Sequence, residues 1–551
     1  MSRFPKLPLL LVTGLTAVLR APGLFANSFQ ADEALFATWA REIAIWRDPL
    51  LAMQPIDKPP LLFYLQALFY PLFGPVEFAA RWPGWIASML LVPLIGVWVW
   101  RLYRQAETAV LAAALVALFP LTIQFSPTAF TDPLLTGLLI AAFTAVTFPK
   151  PGWSGILFGL ALLTKYQAIL FLPLLLGLGW IFGWRLARWG RWLAGLLPPL
   201  LALFAWELAR NGRFHLWQTQ IGNFGGVRLS HSWELWPRFW SWVDLWQTAV
   251  SPLIFFLLIP AMLWATAQHL RRQTAPFAPA PTSRLCVKNF DRLFLIFILA
   301  YGLCHWLFAI PVWDRYLLPL LPLLAILLAR AYAQLKVKVP GTGQTILVNQ
   351  NFRAPCLALR WGSIILLGLV LLSASWAARN GRTPLGSSPQ SDQGAADIAA
   401  ALADAPYGTV LYDHWFSWQW RYHLFDKRVF VSWFPHAAAL ATDLAALGQD
   451  GSPRYLALPN TAVAQPIIRT VQEAGFTLTA VAQSNQIILY EINPQITQIS
   501  QIKKSGQSVK SVDSEYLEPL ASPFQVDAWQ RNNQKISAFS APSAVNIGVV
   551  A

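Results

Sequence analysis

The sequence predicts an α-helical polytopic membrane protein with a soluble α/β domain near its C-terminal end. Of the 551 residues, 56% are hydrophobic and only 12% are charged, which is about half the charge of an ordinary soluble protein. Long apolar runs recur up to residue 377, after which polar and apolar positions alternate. We therefore divide the chain into a membrane domain, 1–377, a soluble α/β domain, 378–496, and a polar tail, 497–551, whose composition is typical of partly disordered segments.

About eleven membrane crossings follow from the apolar segments. The run 153–183 is too long for one untilted crossing and is broken at Lys165, so we expect two short helices there. A cleavable signal peptide competes for the first segment, but the internal Arg20 favours an uncleaved helix. The segments are 7–25, 82–100, 108–125, 133–148, 153–183, 192–209, 246–268, 293–311, 316–333 and 361–377.

Basic residues between the segments predict the orientation of the chain in a plasma (inner) membrane. They cluster in alternate loops, which the positive-inside rule assigns to the cytoplasm. The periplasmic or extracytoplasmic side then receives the long first outer loop, 26–80, and the whole C-terminal domain. The same clusters account for the net charge of +15, so we expect membrane lipids and no nucleic acid as partners. They are Arg3/Lys6, Arg101/Arg104, Lys150, Arg185/Arg188/Arg191, Arg271/Arg272/Arg284/Lys288/Arg292 and Lys336/Lys338/Arg353/Arg360.

Two acidic residues open the first outer loop. The stretch 33–46 has helical spacing, with Trp39 and Ile43 on an apolar face and Glu33 turned away, which predicts an amphipathic helix in the membrane interface. Asp32 and Glu33 lie at its start, where the helix dipole favours carboxylates. Helix capping therefore explains them, although charges so close to membrane-spanning segments also mark functional sites.

The motif Asp57-Lys58-Pro59-Pro60 follows in the same loop. A residue before proline is pushed toward extended geometry, so Lys58 is presented from a stiff kink ahead of an apolar helix, 61–73. An ammonium group there can hold a phosphate as a point charge. A lysine that snorkels to lipid headgroups is the alternative.

Asp132 precedes Pro133 on the same predicted face. Proline is favoured at the first helical position, so Asp132 can be a simple N-cap. Alternatively it joins Asp32 in a two-carboxylate site, where one group takes a proton and the other orients it or the substrate.

Two further cationic motifs are predicted on the outer face. Lys165 lies at the tip of the broken hairpin, and Arg315-Tyr316 lies where two apolar segments meet. Each cation can be an interfacial anchor. Together with Lys58, they make three cations on one face, which favours a phosphate-binding site.

These motifs together resemble the protein O-mannosyltransferase and aminoarabinose-transferase superfamily of C-type membrane glycosyltransferases. The resemblance covers about residues 25–335 in order and spacing, and the soluble tail has no comparable match. The matching motifs are Ala31-Asp32-Glu33-Ala34-Leu35-Phe36-Ala37, Asp57-Lys58-Pro59-Pro60-Leu61, Phe73-Gly74, Glu77-Phe78-Ala79-Ala80-Arg81, Asp132-Pro133, Leu163-Thr164-Lys165 and Arg315-Tyr316-Leu317-Leu318-Pro319.

The resemblance implies transfer of a sugar from a polyprenyl-phosphate donor to a hydroxyl or amine of a lipid, protein or glycan acceptor, with inversion if attack is in line. Among the acidic positions it implies that Asp32 is the base toward the acceptor. Glu33 would orient the first-loop helix or exchange roles with Asp32, and Asp132 matches the acidic residue of the second outer loop.

Among the cationic positions, the resemblance implies that Lys58 contacts the donor phosphate. Arg315 and Tyr316 match a late pair near the donor, and Lys165 or Arg315 would help Lys58 to neutralise the leaving group. No His or Cys cluster is predicted on the outer face, so we expect no tightly bound metal or cofactor, and a divalent cation on the diester is left open.

A transporter or flippase for a lipid-linked sugar is the alternative function. Transporters often consist of two corresponding halves with interrupted helices, and the sequence contains no such repeat. A membrane scaffold whose soluble domain binds a partner is a third hypothesis.

The soluble domain is predicted to be layered α/β. The residues Asp413-His414-Trp415-Phe416 after its first strand favour a structural loop over a saccharide contact. The predicted strands are 408–412, 429–433, 454–458 and 486–490, and the predicted helices are 394–404, 437–447 and 465–474.

Overall fold

The protein folds into two compact units. A computed structural model describes residues 3–26, 29–210, 216, 228–258, 283–334, 366, 368–383, 392–484 and 486–495. The helical unit comprises 1–27, 39–222 and 226–391, and the sheet unit comprises 28–38, 223–225 and 392–551. The predicted polar tail and the loop charges Arg271, Arg272, Lys336, Lys338, Arg353 and Arg360 lie outside the described residues.

The helices up to residue 334 follow most of the predicted apolar segments. Five described helices are long and apolar enough to cross a membrane: Lys6–Phe25, Glu77–Tyr103, Leu186–Arg210, Asn289–Leu307 and Asp314–Ala333. The helices are α1 Lys6–Arg20, α2 Gly23–Ala26, α3 Ala31–Ala44, α4 Leu61–Phe73, α5 Glu77–Tyr103, α6 Ala106–Leu118, α7 Pro120–Phe125, α8 Thr131–Val146, α9 Pro151–Thr164, α10 Leu172–Ile181, α11 Leu186–Arg210, α12 Ser232–Val250, α13 Ser283–Leu307 and α14 Leu321–Gln334. Residues 368–379 are also helical, within the predicted segment 361–377 and just beyond it.

Two predicted segments are interrupted. The run 153–183 breaks at Lys165 as predicted, and a 3-10 turn, Tyr166–Phe171, joins α9 to α10. The prediction of one continuous segment over 108–125 was wrong, because Pro120 begins a new helix and cannot donate a backbone hydrogen bond to the preceding turn.

The predicted segment 293–311 also ends early, at Leu307. The chain leaves the helix because it pairs with an earlier strand-like stretch: Ser230 N donates to Leu307 O at 2.7 Å, and Ala309 N donates to Arg228 O at 2.9 Å. A second 3-10 turn, Asp314–Leu320, then leads into α14.

Helices α9 and α11 pack with their backbones in close approach. A Cβ atom at Gly155 would lie 2.0 Å from Trp192 O, and one at Gly195 would lie 2.1 Å from Gly152 O. Only glycine fits at such a crossing, as is common where membrane helices associate. This packing fixes α9, which ends one residue before Lys165.

Helix α3 differs from the interfacial helix predicted for 33–46. Trp39 and Ile43, predicted to lie on a face toward the membrane interface, are buried within the protein; Glu33, predicted to be turned away, is fully buried as well, and so is Ala37. Trp46, just beyond the helix, is 80% exposed. The prediction failed because the spacing of apolar residues marks one buried face and says nothing of what packs on the other.

The sheet unit is a five-stranded mixed sheet in the order β2-β1-β3-β5-β4. Strand β1 is parallel to β2 and β3, and β5 is antiparallel to β3 and β4. The layered α/β architecture is as predicted, but strand β4 and helix α16 were missed. The elements are α15 Ala395–Ala401, β1 Thr409–Asp413, α16 Ser417–His423, β2 Val429–Trp433, α17 Ala437–Leu447, β3 Arg454–Pro459, α18 Gln465–Glu473, β4 Phe476–Gln483 and β5 Ile487–Pro494.

Hydrophobic cores cover both faces of this sheet. The first core packs α15 and α16 on one face through residues such as Leu411, Trp420 and Ile487. The second core packs α17 and α18 on the other face, around residues such as Leu456 and Phe476. The unit is thus a three-layer α/β arrangement.

The turn after β1 is organised by Asp413. The Asp413 carboxylate accepts hydrogen bonds from the Phe416 N–H at 3.0 Å and the Ser417 hydroxyl at 2.7 Å. Burial raises the pKa of Asp413, and these hydrogen bonds oppose the shift. The carboxylate therefore organises the start of α16.

Candidate functional site

A buried ion pair joins the start of α8 to the end of α9. Lys165 Nζ donates to Asp132 Oδ1 at 2.6 Å, and the side chains of both residues are less than a tenth exposed. Asp132 is the second residue of α8, and no side chain caps this helix. The capping alternative for Asp132 is therefore replaced by a salt bridge to a lysine 33 positions further along the chain.

The 3-10 turn that carries Arg315 and Tyr316 faces the same place. The Tyr316 ring centroid lies 4.9 Å from Lys165 Nζ. The Arg315 guanidinium carbon lies 4.1 Å from the Trp313 ring centroid and 5.1 Å from that of Phe130, the residue before α8. The structure thus brings together four of the predicted site residues: Asp132, Lys165, Arg315 and Tyr316.

Positive charge exceeds negative charge around this pair. Lys165 lies in the turn between two apolar helices, outside both, and burial lowers its pKa to about 8. Asp132 raises this pKa, whereas Arg315 and Lys58 lower it. We call Lys58, Lys165 and Arg315 with Asp132 the cation cluster; within it, Lys58 is also paired with the Asp57 carboxylate.

Lys58 is held by its neighbour. Its ammonium group binds the Asp57 carboxylate, and both side chains are less than one fifth exposed. A lysine snorkelling freely to headgroups is not what is seen.

The loop that leads to Lys58 is anchored from α11. Arg210 donates to Leu51 O at 3.0 Å and to Gln54 O at 3.1 Å. Trp206 Nε1 donates to the Tyr64 hydroxyl at 2.9 Å, which donates in turn to a carbonyl of the loop. The sequence signal for this anchor is Arg210 itself, an arginine at the end of an apolar segment.

Three polar residues beside the cluster were missed as site residues. The Tyr301 hydroxyl donates to Tyr316 O at 3.1 Å and accepts from the Gln167 amide. His305 stacks on Tyr301, with ring centroids 4.0 Å apart. Tyr301 and His305 are four residues apart in α13 and so share one helix face. This spacing is the sequence signal that could have identified them.

Asp32 and Glu33 belong to the segment 28–38 of the sheet unit. Asp32 N donates to Gln30 Oε1 at 2.8 Å, and Glu33 Oε2 accepts from Gln30 N at 3.3 Å. Glu33 is fully buried, and Asp32 is partly exposed. Asp32 is therefore the more accessible of the two carboxylates, and the roles expected for Asp32 and Glu33 stay predictions.

The described residues contain no group of three or more His, Cys, Asp or Glu side chains arranged to hold a metal ion. The expectation that no metal is tightly bound stays a prediction. Chemically, the cation cluster can bind an anion by charge, and aromatic rings lie beside two of its cations.

The chain is similar in sequence and in fold to known proteins. The family described as dolichyl-phosphate-mannose-protein mannosyltransferase matches residues 57–206, a stretch that includes Lys58, Asp132 and Lys165. The predicted superfamily resemblance is confirmed. The transporter alternative is not favoured, because the relatives found are transferases.

Among curated relatives, the undecaprenyl phosphate-alpha-4-amino-4-deoxy-L-arabinose arabinosyl transferase of Pseudomonas paraeruginosa is 28% identical over 369 residues, which cover 62% of this chain and 60% of that protein. The enzyme of the same name from Erwinia tasmaniensis is 25% identical over 372 residues, 63% of this chain and 62% of its own length. The match therefore spans about three fifths of these relatives.

Among solved structures, the chain has the fold of ArnT from Cupriavidus metallidurans. The apo structure matches with a TM-score of 0.60 at 14% identity, covering 88% of this chain and 97% of ArnT. The structure of that protein bound to undecaprenyl phosphate matches with a TM-score of 0.58 at 15% identity and the same coverage. The chain is thus a multi-pass membrane protein with a C-terminal sheet domain.

Proposed function

We propose that this chain is an integral membrane glycosyltransferase that moves a sugar from a polyprenyl-phosphate donor to a hydroxyl or amine of a lipid, protein or glycan acceptor in the cell envelope. The observation that carries the proposal is the buried Lys165–Asp132 pair, beside which Arg315 and Lys58 add positive charge. A cluster with surplus positive charge suits a phosphate diester. The relatives named above act on undecaprenyl-phosphate-linked aminoarabinose, which is a donor of this kind.

The proposal includes a plasma (inner) membrane location, about eleven crossings, and an active site and C-terminal domain on the periplasmic side. The positions of the basic loops support this orientation. We keep the bounds 1–377, with the outer loop 26–80, for the membrane domain, 378–496 for the soluble domain, and 497–551 for the tail.

The reaction needs a base and a charge sink. The acceptor oxygen or nitrogen attacks the anomeric carbon and loses its proton to Asp32, while the bond from that carbon to the phosphate oxygen breaks and its electron pair leaves with the polyprenyl phosphate. In-line attack from the opposite side inverts the anomeric centre. The base contributes by proton transfer and the cations by stabilising the developing negative charge.

Each residue of the cation cluster has a distinct proposed role. Lys58 and Arg315 contact the donor phosphate, and Tyr316 lies against the ammonium group of Lys165. Asp132 holds Lys165 in place in the absence of a donor. We therefore assign Asp132 to the orientation of a phosphate-binding lysine, and Glu33 to the orientation of the helix that carries Asp32.

We also propose that the three cations replace a metal ion at the diester. Transfer should then continue in EDTA, whereas a strict requirement for added Mg²⁺ would assign the charge sink to a divalent cation.

The test is reconstitution of the full chain in lipid vesicles with undecaprenyl phosphate-α-4-amino-4-deoxy-L-arabinose labelled in the sugar. Release of undecaprenyl phosphate and transfer of label to lipid, membrane-protein and glycan fractions are measured. Asp32→Asn should lower the turnover number by at least about 100-fold, as expected for loss of a general base. Lys58→Ala should raise the KM for the donor with a smaller effect on turnover.

Lys150→Ala is the matched control, because Lys150 is exposed and lies at the other end of α9 from Lys165. It should leave both constants unchanged. Absence of donor binding, together with a Lys58→Ala variant that behaves like the wild type, would refute the enzyme hypothesis. A different polyprenyl-phosphate sugar accepted in place of aminoarabinose would keep it and redefine the donor.

A further inference from the structure

An aromatic contact joins the segment that carries Asp32 to the rest of the sheet unit. Phe29 is fully buried, and its ring lies edge-to-face on Tyr422, with centroids 4.8 Å apart and planes inclined by 71°. The contact is internal to the sheet unit, to which both residues belong.

Tyr422 is itself fixed by the sheet unit. It lies in α16 and is only 3% exposed. The same helix contributes Trp420 to the first hydrophobic core, together with Phe416 from the residue before the helix. Asp413, at the end of β1, binds the backbone N–H of Phe416 and fixes the start of this helix. Tyr422 is therefore part of a rigid element.

Phe29 passes this constraint to the start of α3. The next residue, Gln30, accepts a hydrogen bond from Asp32 N and donates one from its own backbone to Glu33 Oε2. Three consecutive steps, from Tyr422 to Phe29, to Gln30 and to the first turn of α3, thus connect the sheet unit to Asp32. Movement of the Phe29 ring would shift the backbone of that turn.

We infer that Tyr422 is a positioning residue for Asp32: by packing on Phe29, the sheet unit sets the place of the catalytic carboxylate. This inference rests on the proposed function, in which Asp32 is the base. Misplacement of a reacting group by about 1 Å can lower a rate on the order of 100-fold. Within the sheet unit, the C-terminal part that carries Tyr422 then has a role in catalysis, although the base itself comes from the segment 28–38.

The test is a double-mutant cycle between Tyr422→Leu and Asp32→Asn in the vesicle assay, with the acceptor fraction that takes up label. Tyr422→Leu should lower the turnover number about tenfold and leave the donor KM within twofold. In the Asp32→Asn background it should cost nothing further, because no placed base remains. Tyr422→Phe keeps the ring and should restore turnover.

Phe476→Leu is the control for a general loss of packing. Phe476 is 2% exposed and belongs to the core on the opposite face of the sheet. Its substitution should lower the melting temperature without lowering turnover. Phe29→Leu removes the same contact from the other side, and it tests the inference should Tyr422→Leu fail to fold.

Three outcomes overturn the inference. If the losses of Tyr422→Leu and Asp32→Asn multiply in the double variant, Tyr422 acts through the fold and not through Asp32. If Tyr422→Leu and Phe29→Leu both keep wild-type turnover while Asp32→Asn abolishes it, the sheet unit does not position the base although the proposed function stands. An Asp32→Asn variant with full activity refutes the base assignment itself, and the inference with it.

Discussion

Helix α5 connects two buried ion pairs that have different surroundings. At its start, Gly84 faces the Thr128 carbonyl and the Pro133 ring, next to Asp132 and its partner Lys165. At its end, the Tyr103 hydroxyl donates to Asp291 at 2.7 Å. Tyr103 follows Gly84 by nineteen positions in this helix, which correspond to roughly 28 Å along its axis, close to the thickness of a bilayer's hydrocarbon core.

The ion pair at the end of α5, between Arg330 and Asp291, is saturated: other protein groups take up its hydrogen-bonding capacity. Two nitrogens of Arg330, Nη2 and Nε, donate to Asp291 Oδ2 at 3.2 and 3.3 Å. The third, Nη1, donates to Gln105 Oε1 at 3.2 Å. The guanidinium carbon of Arg330 lies 4.3 Å from the centroid of the Tyr103 ring. Because protein groups satisfy both charges, this network has little left to bind and we interpret it as structural.

The pair at the start of α5 is different. The ammonium of Lys165 has one carboxylate oxygen and the face of one aromatic ring as described partners. Two further cations act on it, Arg315 and Lys58. The comparison teaches that burial and pairing do not distinguish a structural ion pair from a binding site, whereas an excess of one charge does.

The largest expected effect comes from exchanging the cation of each pair for a neutral amide. Lys165→Gln should lower kcat/KM for the polyprenyl-phosphate donor about 100-fold, because a buried charge contact is lost in the bound state. Arg330→Gln should leave kcat/KM of the folded protein within about threefold. Both should lower thermal stability, since each leaves a buried carboxylate unpaired, at a cost of about 3–5 kcal/mol.

The measurements are donor titration of transfer in vesicles and thermal unfolding of the same preparations. Equal loss of kcat/KM in the two variants would mean that the pairs do not differ in function. A Lys165→Gln variant that is destabilised but binds donor normally would reassign the Lys165–Asp132 pair to a structural role.

The next effect is a pH dependence confined to one pair. Burial lowers the pKa of Lys165 to about 8, so its charge is present below that pH and is lost above it. If the protonated lysine binds the donor phosphate, kcat/KM should fall about tenfold per pH unit above 8. Lys165→Arg, which stays charged, should move the fall to higher pH, as measured by rate profiles between pH 6 and 10.

A fall at the same pH in wild type and Lys165→Arg would assign the titration to another group. Arg330→Lys serves as the control at the far pair. It should leave the pH of the fall unchanged, because that pair does not touch the donor.

Local patterns in the sequence predicted much of the fold. Helix α4 and strand β2 begin and end at the predicted residues, since each is bounded by prolines, glycine or a change of hydrophobic period. Strand β4 was missed because five of its eight positions are exposed, including Val481, so it has no clean alternation. Helix α16 was missed because its seven residues are too few to establish a period.

Long-range pairing could not be predicted in the same way. The sequence places Asp132, Lys165 and Arg315 near helix ends, but the choice of Lys165 as the partner of Asp132 depends on how α8 and α9 pack. Buried Arg20 is a further case: it interrupts the first apolar segment, and its guanidinium donates to Ser88 O at 2.8 Å and Val116 O at 3.0 Å. Side-chain chemistry identifies candidate site residues, and the packing of the helices determines which of them come into contact.

The smallest expected effect concerns one tyrosine hydroxyl at each pair. Tyr301→Phe removes the donor that holds Tyr316 O at 3.1 Å while keeping the ring stacked on His305. The turn with Arg315 would then be held less firmly, so the donor KM should rise about fivefold, which corresponds to one hydrogen bond of about 1 kcal/mol, with little change in turnover. Donor titrations of the variant give this value directly.

The matched change at the far pair is Tyr103→Phe, which deprives Asp291 of a donor at 2.7 Å. Loss of a partner from a buried carboxylate costs about 1–3 kcal/mol of stability, so this variant should unfold at lower temperature and keep the donor KM of the wild type. A raised donor KM in Tyr103→Phe, or an unchanged one in Tyr301→Phe, would contradict the division into a saturated and a binding pair. The two hydroxyls thus separate the two pairs: that of Tyr103 stabilises the saturated network, whereas that of Tyr301 holds the turn that carries Arg315.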